Sequence, residues 1–111
     1  MKKLLLLLLL LLCSEPVFAQ GTHTVALTWT ASIDGGVVSV YRATGACSPS
    51  SIFTKVTSGV TGLTYTDTAL TPGTYCYQVT TVVNNAESNP SNQVTAVILP
   101  APPTTLGAVP K

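Results

Sequence analysis

Charge is scarce in this chain. Only 8% of its 111 residues are Asp, Glu, Lys or Arg, with five bases against four acids. No basic stripe or acidic run exists to set up a long-range field, which excludes a nucleic-acid partner. Histidine occurs once, as His23, so no serine or threonine gains an activating base with an orienting group beside it. The G-x-S-x-G elbow of serine hydrolases is absent, and Gly35-Gly36 lacks the lysine and the strand–loop–helix setting of a phosphate loop. Asp34, Asp67 and Glu87 are scattered among separate turns and strand ends. They offer neither a facing carboxylate pair for glycoside hydrolysis nor a calcium ligand set. No catalytic, cofactor-binding or metal-ligating residue is assigned, and the expectation is a non-enzyme. Amphipathic helices of useful length are missing too.

What the chain does have begins with nine consecutive leucines, residues 4–12, behind Lys2 and Lys3. This is the charged end and apolar core of an export signal, and Val17-Phe18-Ala19 supplies its cleavage site. Residues 1–19 are therefore read as a signal peptide. The apolar run is about half of what a bilayer crossing needs, so no membrane span is expected after cleavage. Cys13 follows bulky Leu12, which argues against lipidation. The mature chain is expected to be secreted or periplasmic, with its remaining acids and bases in balance.

Cys47 and Cys76 then remain, and an exported chain with an even pair points to one disulfide. A metal site or a reactive thiol is the alternative. Neither cysteine lies in a C-x-x-C, and one terminal histidine completes no ligand pattern.

Period-two alternation runs through most of the mature chain. Val25, Leu27 and Trp29 alternate with threonines and alanine over residues 24–30, and Val38 and Val40 share a face within residues 37–43. Short strands are expected at 52–56, anchored by Phe53, and at 64–68 around Tyr65. The longest covers 74–83, where Tyr75, Tyr77 and Val79 step by two. A last strand covers 93–99, and which of its faces points inward is open from sequence. Gly, Pro and Asn-Asn turns separate the strands, and the β-favouring Thr and Val dominate their composition. Six strands with no helix make an all-β sandwich.

The order HTVALTWTAS, VVSVYRA, FTKV, TYTD, LTPGTYCYQVTTV, NNAES and SNQVTAVI resembles a bacterial fibronectin type III domain over residues 23–99. The resemblance implies a two-sheet sandwich of the immunoglobulin-like kind. It gives Trp29 the place of core filler, Tyr75 that of the corner tyrosine bonded to backbone, and Leu70 that of a plug at one end. Val25, Leu27, Val38, Val40, Tyr65, Tyr77 and Val79 complete the expected core. With Tyr75, Tyr77 and Val79 inward, Cys76 faces outward, away from the cross-core position of antibody disulfides, and Cys47 folds back over the sheet to meet it.

The departure from the family lies at the start. Only residues 20–22 stand between the cleavage site and the domain, so the family's first strand is missing or vestigial. The edge beside Trp29 is then covered by the lead residues, by the Pro-rich flexible tail 100–111, or by another chain. The functional expectation is a binding module for an unknown protein or cell-envelope carbohydrate, with outward Tyr41 and Gln78 as an interaction surface. The alternative is a structural subunit that forms homo-oligomers through the open edge.

Overall fold

The computed structural model describes residues 23–111. The expected signal 1–19 with Cys13, and the lead 20–22, lie outside the described residues. Seven strands succeed one another in chain order: β1 (His23–Thr28), β2 (Val37–Thr44), β3 (Thr54–Val60), β4 (Thr64–Leu70), β5 (Gly73–Val83), β6 (Ala86–Glu87) and β7 (Val94–Ile98). Six were expected. The seventh is the two-residue β6, which the Asn84-Asn85 turn folds back on β5. Both asparagines have positive φ, the geometry of a tight hairpin turn whose twist suits the flanking strands.

β1 and β4 pair antiparallel as a two-stranded sheet, and the other strands form a second sheet in the order β3-β2-β5, with β6 and β7 along the far edge of β5. The register fixes the faces. Val38, Val40 and Arg42 of β2 lie opposite Thr81, Val79 and Tyr77 of β5, while Ser39, Tyr41 and Ala43 lie opposite Thr80, Gln78 and Cys76. Directly opposed residues share a face, so the Val38 set points toward the β1–β4 sheet and the Ser39 set points away from it.

The core is built on the inward set. Leu27, Val38, Val40 and Tyr77 form its buried centre, with Val25, Trp29, Tyr65, Tyr75 and Val79 packed around them. Trp29 packs against this centre without lying in it: β1 ends at Thr28, and half-buried Trp29 follows, its backbone N–H donated to the Leu63 carbonyl at 3.1 Å. Tyr77 holds the centre instead, only 1% exposed. Leu70 is buried at the end of β4 opposite His23, outside that cluster. β3 begins two residues later than expected and runs through Ser58-Gly59, packing with Val56 and Val60 while Ile52 is exposed and Phe53 precedes the strand. The open question about β7 is resolved by its register: Val94 and Ala96 oppose Tyr77 and Tyr75, which puts Val97 outside.

One glycine is required by contact as well as by backbone. Gly36 has φ +94°, and a Cβ there would stand 2.5 Å from the Val82 carbonyl oxygen. The turn into β2 can lie against β5 only without a side chain.

Candidate binding cleft

The outward face of the larger sheet carries the disulfide. Cys47 and Cys76 are bonded, and Cys76 is fully buried although it lies on the face away from the core, because the loop after β2 covers it. Gly45 donates its N–H to the Thr74 carbonyl at 2.8 Å and Cys47 its own to Thr95 Oγ1 at 3.2 Å, so that loop is tied to both β5 and β7.

Further along the same face stands Tyr41. Its hydroxyl donates to the Glu87 carboxylate, and Thr80 Oγ1 donates to the same oxygen at 2.6 Å. The two donors hold the Glu87 carboxyl below its usual range, and the bond to Glu87 raises the phenol of Tyr41. Lys55 Nζ lies 5.8 Å from the Tyr41 ring centroid, capping one side of it. Gln78 receives the amide of Gln93 at 3.4 Å. Tyr41 and Gln78 thus share an exposed polar face, already internally bonded.

A second polar group joins the sheets, and sequence reasoning missed it. Asp67 of β4 accepts a 2.6 Å ion pair from Arg42 of β2 and a 2.7 Å hydrogen bond from the Tyr77 hydroxyl. The carboxylate side chain is only 5% exposed. Burial and the bond to Asp67 push the Tyr77 phenol up, and the same carboxylate raises the Arg42 guanidinium. The signal was in the alternation: Asp67 is two residues after Tyr65 and Arg42 two after Val40, so both continue an inward face. Nothing about this cluster is catalytic in form. Asp67 accepts from both partners between the sheets, where the cluster sets their relative position.

The cleft itself opens on the other side of β1. Among the described residues no strand pairs with the edge of β1 away from β4. Across that gap runs the connection between β6 and β7, residues 88–93. It is not a regular strand, yet two serines complete the edge of β5. Ser88 donates its N–H to the Thr81 carbonyl and its Oγ accepts from Thr81 N–H; Ser91 does the same with Val79. Each serine hydroxyl then donates to the carbonyl of the asparagine after it, at 2.8 Å. The repeated Ser-Asn thereby satisfies β5 while accommodating Pro90, which has no N–H to give.

Between this connection and the end of β1 lies a cleft of about 490 Å³. Leu27, Val38, Tyr77 and Val79 contribute its apolar floor, Trp29 its wall, and Asn89 and Asn92 belong to its polar rim. The indole N–H of Trp29 is buried without an acceptor among the described residues. The cleft thus brings the end of an edge strand together with core side chains at its base, half-buried Val79 and Trp29 beside them, and amide groups, the components of a site for extended chain. No group of three or more His, Cys, Asp or Glu among the described residues could hold a metal, and no helix among them is long and apolar enough to cross a membrane.

The chain is similar in structure to the solved fibronectin type-III domain of human fibronectin type III domain containing protein 3. The TM-score is 0.53 at 22% identity, over 79% of this chain and 84% of that one. At that identity the likeness shows the fold alone: a fibronectin type III-like β-sandwich. No known protein family and no curated protein matches the sequence.

Proposed function

We propose that this chain is an exported, non-catalytic binding module of the bacterial fibronectin type III kind, and that the cleft beside β1 is where it binds. The observation that carries the reading is the coincidence, at one place, of a strand edge unpaired among the described residues with an apolar floor. A strand edge presents alternating N–H and C=O groups, and such groups select extended polypeptide through backbone hydrogen bonds. The floor then takes every second side chain of the guest. An envelope protein fits this chemistry better than a glycan, which would leave the backbone groups of β1 in irregular register.

Trp29 is the sole tryptophan and lines the cleft, so its emission reports occupancy. Strand-forming peptides are expected to shift that emission saturably and to protect the β1 amides from hydrogen exchange, while soluble envelope oligosaccharides do neither. Peptides without effect on Trp29 or on β1 exchange would overturn the reading.

The outward Tyr41–Gln78 face supports a second reading, a glycan platform, because Glu87 holds the Tyr41 ring in place. It is the weaker one, since Lys55 stands over the ring that a sugar would stack on.

A further inference from the structure

We infer that the occupant of the cleft is the tail of a second copy of this chain, residues 104–109, added as a strand beside β1. This rests on the strand-binding reading of the cleft and names its guest.

The tail beyond β7 is exposed throughout and belongs to no strand. Its apolar side chains are correspondingly uncovered: Leu106 is 98% exposed and Val109 84%. Among the described residues, one molecule thus carries a cleft that no strand covers and an apolar segment that belongs to no strand. The segment's length suits the edge of β1, whose last two residues, Leu27 and Thr28, border the cleft. The segment TTLGAV is a proline-free run of six residues bracketed by Pro103 and Pro110, and β1 also has six residues. Proline at either end of an added strand costs no ladder bond, whereas proline within it would. In an extended segment Leu106 and Ala108 share a face, and Leu106 is the large side chain that reaches the floor between Leu27 and Val79.

The residues before this segment favour a second copy over the chain's own edge. β7 ends at Ile98 opposite Gly73, and Leu70 stands opposite His23, so the tail leaves from the end of the sandwich where β1 begins. To cover its own β1 it must reverse direction within residues 99–103. That stretch carries Pro100, Pro102 and Pro103, which hold φ near −65° and keep the chain extended at about 3.1 Å per residue. The stiff spacer carries the segment outward, and a neighbouring molecule can receive it antiparallel to β1. Each copy offers one tail and one cleft, so the contact is head-to-tail and propagates unless its rotation closes a ring.

The test uses the mature full chain from Gln20, the same chain ending at Pro103, and a synthetic peptide of residues 99–111. The full chain is expected to sediment with rising mass across a concentration series, and the shortened chain to remain monomeric. Adding the peptide to the shortened chain should shift Trp29 emission saturably, and Leu106→Asp in the peptide should weaken binding at least about tenfold, the loss of one well-buried leucine. If an unrelated alternating Val/Thr peptide shifts the emission and the tail peptide does not, the cleft binds strands but the tail is not its guest. If neither peptide shifts it, both this inference and the strand-binding reading fall. If the full chain stays monomeric while its Trp29 emission already matches the peptide-saturated form, the tail folds onto its own copy and the second-copy arrangement is overturned.

Discussion

Asp67 shows how one side chain can be structural in a chain almost without charge. Its carboxylate is the common acceptor for Arg42 and Tyr77, and those three residues come from three strands and both sheets. Removing it strands a guanidinium and a phenol that the fold has already desolvated. Asp67→Ala is expected to cost about 2–3 kcal/mol, read as a lowered urea midpoint. This is less than the loss of a fully buried pair because the Arg42 side chain remains 33% exposed to water. A midpoint unchanged from the parent would mean that the cluster contributes nothing net. The residues that bear the expected interaction surface behave differently. Tyr41 commits its hydroxyl to Glu87, so its contribution to a surface is a ring held still, not a free hydrogen-bonding group.

Among the elements, the two edges that border the cleft, those of β1 and β5, have opposite treatments. The β5 edge is completed twice by a serine that both donates from its backbone and accepts with its side chain. Replacing Ser88 and Ser91 together with alanine should cost about 1–2 kcal/mol, since two backbone N–H groups lose their acceptors but can turn to water. The exchange of the Val79 and Thr81 amides should rise selectively, while Val38 and Val40 of the adjacent strand remain protected. The loop between β2 and β3 depends on its bridge instead. Cys47 and Cys76 are 29 residues apart, a loop whose closure is worth roughly 3–4 kcal/mol on the chain-entropy estimate. A Cys47→Ala/Cys76→Ala chain is therefore expected to lose about that much in denaturant and to become cleavable by protease within residues 45–53. The edge of β1 has no equivalent device among the described residues, and that asymmetry is why the cleft sits there.

At the scale of the whole molecule, stability should fall on the alkaline side. Tyr77 has its phenol raised by burial and by Asp67, and Tyr41 has its own raised by Glu87. A group raised in the fold supports it fully while both states are protonated, below the unfolded phenol value of about 10. Above that, the unfolded chain ionises and the folded chain resists, so the contribution drains away as pH climbs toward the folded values. Tyr77→Phe should be less stable at neutral pH yet show a flatter decline between about pH 10 and 12, measured by thermal unfolding. An equally steep decline would assign the alkaline limb to other groups. Glu87 works in the opposite sense: lowered by Thr80 and Tyr41, its support is present above the ordinary carboxylate range and fades as pH falls through its lower folded value.

Much of this architecture was legible before any coordinate. Alternation placed Tyr75, Tyr77 and Val79 on one face and Cys76 on the other, because a strand's side-chain period of two permits no other arrangement. The Asn84-Asn85 corner was legible for a similar local reason, since few residues accept positive φ at low cost. What alternation cannot state is which distant strands meet. The pairing of Arg42 with Asp67, the position of Trp29 beside the core centre and the strand-like bonding of Ser88 and Ser91 each depend on the register between segments far apart in the chain. The face on which a side chain lies is a property of its own strand, and the sequence determined it. The partner that side chain finds is a property of how two sheets close on each other, and only the tertiary structure decided that.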